Sequence, residues 1–97
     1  MKVITRAKTQ DGTDIQIEDW RTDYPNILSY ELAAYPKSKA NHAGSFSPKL
    51  NEKFRANFKF DTLAEVETAL SKLVSGEAQL RDYASRLWDG DKYADCL

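Results

Sequence analysis

Cysteine is almost missing from this chain: among 97 residues there is Cys96 and no other. A single thiol closes no internal disulfide, so a small secreted scaffold held by staples is excluded. Histidine is as scarce, and His42 together with Cys96 cannot furnish a four-ligand zinc site of the usual kind. No metal and no cofactor is therefore expected. Long apolar runs are missing too, since no window approaches the roughly 18 apolar residues a membrane span requires. The stretch Met1 to Lys8 has no apolar core of a secretory leader. The expectation is a cytoplasmic protein with no membrane contact. Neither sign of charge prevails, with 14 Lys and Arg against 15 Asp and Glu, for a net −1. Bulk coating of nucleic acid needs a basic excess, and mimicry of DNA an acidic one; both are absent.

Catalytic signatures are lacking as well. The chain contains no Gly-rich phosphate loop, no G-x-S-x-G and no H-E-x-x-H. His42 titrates near neutrality but lies in the loop-like Ala40-Asn41-His42-Ala43-Gly44, with no patterned partner to activate. Cys96 is too close to the chain end to be held as a preorganised thiolate. Asp89, Asp91 and Asp95 suggest a calcium loop, but Tyr93 takes the fifth position and the sequence stops before the twelfth. An acidic tail over 89–97 that stops a helix is the plainer reading. The expectation is a protein that is not an enzyme.

What is present is a segregation of charge that the total hides. Residues 1–34 carry four basic and six acidic side chains, and residues 61–97 carry four basic and eight acidic ones. Between them, 35–60 holds Lys37, Lys39, Lys49, Lys53, Arg55 and Lys59 against Glu52 alone. A basic middle is flanked by acidic ends.

Periodicity predicts the elements. Val3 to Lys8 reads as a strand, Asp11-Gly12 as a hairpin turn, and Asp14 to Trp20 as its partner, with Ile15 and Ile17 alternating with polar residues. Tyr24-Pro25-Asn26 breaks the chain before a third strand, Ile27 to Tyr35. Pro36 ends that strand, and 36–50 reads as a flexible basic loop. In Lys53 to Phe60, Phe54, Ala56, Phe58 and Phe60 fall on one face, and Lys53, Arg55, Asn57 and Lys59 on the other. At Asp61 the period becomes 3.6. Thr62 and Glu65 match a capping box, Leu63, Val66, Leu70, Leu73 and Val74 form a stripe, and Gly76 stands where a helix would end. A second helix is expected from about Glu77 to Trp88. Strands followed by helices predict one small α+β domain over 1–97: a four-stranded antiparallel meander with two α-helices packed on one face. Its inward row would be Ile15, Ile17, Leu28, Tyr30, Leu32, Phe54, Phe58 and Phe60.

Two surfaces compete as binding sites. Lys53, Arg55 and Lys59 recur along the open face of the last strand at about the phosphate spacing of a single nucleic-acid strand. Lys37, Lys39 and Lys49 extend the patch, Phe46 could stack on a base, and Lys2, Arg6 and Lys8 share a parity that brings them to the same face. Against this, lysines protect exposed sheets from aggregation, and Asp14, Gln16 and Glu18 can neutralise the row across strands. The aromatic residues Trp20, Tyr24, Tyr35, Phe46, Trp88 and Tyr93 cluster at element ends. Trp20 and Trp88 are expected to plug the rims of the core, and Tyr35, Phe46 and Tyr93 to be anchors for a protein partner.

A meander followed by a helix, with Asp14-Ile15-Gln16-Ile17-Glu18-Asp19-Trp20 on the second strand, is similar in topology to the positive-cofactor type of single-stranded-DNA-binding domain. The likeness spans 1–75, departs at the second helix and transfers no residue role. The reading adopted is a non-catalytic protein–protein interaction module. Small regulators and inhibitors, including those of mobile elements, are of this kind. It would meet an acidic patch through Tyr35, Lys37, Lys39, Phe46, Lys49, Lys53, Arg55 and Lys59. The same complementarity would also allow self-association. The alternative is a single-stranded nucleic-acid binder using the basic face of 53–60.

Overall fold

Alternating apolar residues make the sheet, and a computed structural model describes it over residues 1–27, 29–35 and 55–87. Strands β1 (Lys2–Lys8), β2 (Asp14–Asp19), β3 (Tyr30–Tyr35) and β4 (Ala56–Phe60) pair antiparallel in the order β1-β2-β3-β4. Helix α1 (Leu63–Ser75) and a 3₁₀ helix (Leu80–Arg86) follow. This is the α+β meander that the sequence predicts. Leu28, Phe54, Trp88, the loop 36–50 and the tail 89–97 lie outside the described residues.

The β1–β2 turn closes where expected. Gly12 adopts a left-handed φ of 86°, the Gly12 amide donates to the Thr9 carbonyl (3.0 Å), and the Thr13 amide meets Asp11 Oδ1 (3.1 Å). The third strand starts three residues later than predicted. The Ile27 amide donates to the Tyr24 carbonyl (3.2 Å), so Ile27 belongs to the turn and its side chain is 71% exposed. One irregularity was invisible in sequence. The β1–β2 register shifts between Val3 and Thr5, where Ile4 is the extra residue. Arg6 then stands opposite Gln16 and Lys8 opposite Asp14, but Lys2 falls opposite Asp19. Lys2 therefore leaves the face it was expected to share with Arg6 and Lys8, because a one-residue slip inverts side-chain parity.

Ile15, Ile17, Tyr30, Leu32, Ala34, Ala56, Phe58 and Phe60 form the inward face and are buried against Val66, Ala69 and Leu73 of α1. Thr62 caps α1, its Oγ accepting from the Glu65 amide (3.2 Å), and Gly76 ends the helix at φ 84°. Val74, assigned to the buried stripe, is exposed, and Ala69 takes its place. At 100° per residue Val74 lies a quarter turn round from Leu73. Gln10 ties the hairpin to the helix end, donating to the Ser75 carbonyl at 2.7 Å.

The second helical segment is present but is 3₁₀, not α. Three residues per turn line up Leu80, Tyr83 and Arg86. Leu80 joins the core, the Tyr83 ring sits 6.0 Å from that of Phe60, and the Arg86 guanidinium lies 4.5 Å above the Phe60 ring. Arg86 also reaches Glu65 of α1 at 3.8 Å, joining the two helical segments. Among the described residues no helix is long and apolar enough to cross a membrane.

Candidate functional site

The face of the sheet opposite α1 holds Arg55 and Lys59 of the predicted basic row, and strand parity decides its membership. Ile15 and Ile17 point to the core, so Asp14, Gln16 and Glu18 point away. The register then aligns Gln16, Ala33 and Asn57 across β2, β3 and β4, and Glu18, Glu31 and Lys59 beside them. Arg55 precedes β4 by one residue, at the level of Tyr35.

From there the Arg55 side chain crosses β3 diagonally. Its Nη2 donates to the Glu18 carboxylate and lies 3.7 Å from Glu31 Oε2. Nε donates to Asn57 Oδ1 at 2.6 Å, and Nη1 to the Tyr35 hydroxyl at 3.4 Å. The crossing passes over Ala33, which is fully buried and whose methyl leaves the room a larger side chain would take. The carboxylate at the far end is saturated. Glu18 is 0% exposed and accepts from Arg55, from the Gln16 side-chain Nε2 and from Trp20 Nε1 (3.0 Å). Gln16 in turn accepts from Arg6 Nε at 3.3 Å. A chain of polar contacts thus runs from β1 to β4. Among the described residues no buried side-chain nitrogen or oxygen lacks a partner.

Burial opposes the charge on Arg55, but the Glu18 carboxylate, aided by Tyr35 and Glu31, more than offsets it. The guanidinium is held above its ordinary pKa. Arg55 is a fixed cation spent on the chain's own carboxylates. Glu18, with three donors and no exposure, crosslinks the polar face.

Of the eight residues expected to bind a partner, Tyr35, Arg55 and Lys59 are brought to this face. Lys37, Lys39, Phe46, Lys49 and Lys53 lie outside the described residues, as do His42, Tyr93 and Cys96. Tyr35 is half-buried beside the Arg55 guanidinium, whose carbon is 6.0 Å from its ring. Lys59 stands opposite Glu31, and Lys8 meets Asp14 at 3.3 Å. The neutralising residues were legible in part: Asp14, Gln16 and Glu18 follow from parity. Asn57 follows from the parity of β4, whereas Glu31 and Ala33 are set beside these residues only by the register of β3.

Sequence reasoning missed a second surface. The Tyr24 ring, 48% exposed, leans on Trp20 with centroids 5.8 Å apart. Ile27 follows in the same turn, and the Met1 amino group pairs with the neighbouring Asp23. Met1 and Ile4 on β1 are exposed as well. Tyr24 and Ile27 are thus exposed in the β2–β3 turn, with the Met1 terminus tied to that turn through Asp23 and Ile4 exposed on β1. Trp20 is half-buried with its indole N–H on Glu18, so it serves the polar face and is not among the side chains packed on the core where it was expected. Compared with protein families, curated proteins and solved structures, this chain matches none.

Proposed function

We propose that the chain is a cytoplasmic, non-catalytic protein-binding module, a small regulator or inhibitor whose contact surface includes Tyr24 and Ile27 of the β2–β3 turn. One contrast carries this reading: Arg55 and Lys59 on the sheet face are set against the chain's own carboxylates, while large apolar side chains of the β2–β3 turn are in water. Exposed aromatic and aliphatic side chains grouped beside polar residues suit a protein interface. The nucleic-acid alternative needs free cations along 53–59. Arg55 is committed to Glu18, and Lys59 faces Glu31.

The test has two arms. Anisotropy with labelled single-stranded oligonucleotides, at about 50 and 200 mM salt, should show no tight, salt-steep binding. Affinity capture from native extract should recover a partner with the parent chain and lose it with the Tyr24→Ser, Ile27→Ser double variant, whose fold is checked by circular dichroism. Steep salt-dependent oligonucleotide binding, or capture indifferent to both substitutions, overturns the proposal.

A further inference from the structure

The two edges of the sheet are unlike. The outer edge of β4 is occupied: Leu87 bridges Phe58, and Arg86 Nη1 donates to the Lys59 carbonyl at 3.3 Å. The outer edge of β1 carries no strand among the described residues. Every charged side chain on β1 is basic, namely Lys2, Arg6 and Lys8.

An open edge offers a row of backbone donors and acceptors to any extended chain, and side chains select which one. From Thr5 to Lys8 the register with β2 is regular, so this half of β1 is a straight template. Arg6 and Lys8 point to the polar face of the sheet, where Arg6 donates to the neutral Gln16 and Lys8, its side chain 66% exposed, shares a surface contact with Asp14; Thr5 and Ala7 point to the side of α1. At the bulge, the exposed Ile4 marks the apolar end of the strand.

We propose that β1 is a docking strand for an extended acidic segment of a partner protein. The segment adds to the sheet as a fifth strand, with acidic side chains at alternate positions beside Arg6 and Lys8 and small apolar ones between them. This rests on the protein-binding reading and names the chemistry of its partner. A second copy is the wrong occupant. Antiparallel pairing of β1 with itself about Thr5 sets Lys2 against Lys8 twice, and parallel pairing in register sets each cation beside its own copy. No carboxylate on β1 relieves either arrangement, and like charges directly opposed destabilise a ribbon.

The probe is a fluorescein-labelled peptide of alternating glutamate and valine, compared with its lysine–valine counterpart and with a proline-interrupted version of unchanged charge. Binding is followed by anisotropy, and its site by amide chemical shifts of the full chain. The glutamate peptide should bind with shifts concentrated in residues 2–8. Proline should weaken it by about tenfold or more, because main-chain pairing is lost. Arg6→Glu with Lys8→Glu should transfer the preference to the lysine peptide. Should that variant fail to fold, the three peptides on the parent chain still decide the matter. Equal binding of the proline peptide, shifts centred elsewhere, no binding, or a stable dimer in sedimentation velocity each overturns the docking strand. If the peptides fail while partner capture still depends on Tyr24 and Ile27, this inference falls and the protein-binding reading stands. If capture fails as well, both fall.

Discussion

Ile17 and Glu18 are neighbours on β2, both 0% exposed, and lie on opposite faces of one sheet. Ile17 is buried by packing against side chains of the α1 side, and its environment makes no directional demand. Glu18 is buried by three donors, each from a different residue: Gln16, Trp20 and Arg55. Equal burial therefore has two different physical bases. The apolar face is sensitive to lost volume and tolerant of isosteric exchange. The polar face is sensitive to the loss of any one partner and tolerant of concerted replacement, since a charge buried alone is what costs most.

The largest effect should come from the apolar face. Phe58 is 1% exposed at the centre of β4, and Phe58→Ala should cost about 3–5 kcal/mol through lost burial and a residual cavity. That is a large share of the roughly 5–15 kcal/mol typical of a domain. Phe58→Leu should cost about 1–2 kcal/mol, which urea denaturation would read directly. Equal losses for the two substitutions would contradict packing as the basis of this face.

On the polar face, Arg55→Met alone should cost about 3 kcal/mol, because the buried Glu18 carboxyl is left without its cation. Glu18→Leu combined with Arg55→Met should recover most of that loss, although Glu31 also loses the cation 3.7 Å away. A double-mutant cycle measures the coupling, and additive costs would show that the two side chains act independently. Next in size, Ala33→Leu should cost about 2 kcal/mol by overpacking beneath the Arg55 crossing. Restoring stability to Ala33→Leu by adding Arg55→Met would place the clash at that crossing.

Legibility in the sequence divides along the same line. Phe58 and Phe60 announce their face because strand parity is local, and Thr62 and Gly76 mark α1 through capping geometry set by a few residues. The Arg55–Glu18 contact spans β3 diagonally, so it depends on two strand registers and on Ala33 between them. No local pattern encodes that. Arg55 and Lys59 follow the expected parity, but as a site the reading was incomplete, since their counter-charges come from β2 and β3. Ile27 was misread because an apolar residue in a strand-like run can equally close a turn, and the bulge at Ile4 left no local mark. The 3₁₀ segment was hidden because Leu80 and Tyr83 satisfy helical spacing at either 3.0 or 3.6 residues per turn.

The smallest expected effect isolates burial from chemistry. Asp19, next to Glu18, also pairs with an arginine: Arg21 Nη2 meets its Oδ2 at 2.9 Å, and Arg21 Nε and backbone N–H meet Oδ1 at 3.0 Å. These bonds lower the Asp19 pKa from 3.8 to about 2. The pair is far more open than Glu18–Arg55, with the Arg21 side chain 59% exposed against 21% for Arg55. A carboxylate whose pKa is depressed by folding stabilises the fold above its unfolded value and ceases to do so as pH falls through the folded one. The Asp19 contribution is thus complete at neutral pH, declines below about pH 4 and is gone below about pH 2. Arg21→Ala should raise the Asp19 pKa toward its ordinary value in an NMR titration. Its stability cost at neutral pH should be far smaller than that of Arg55→Met because solvent screens the pair. An Asp19 titration unmoved by the substitution would refute the assignment. A cost equal to that of Arg55→Met would mean that ion pairing, and not burial, sets the energetics of both sites.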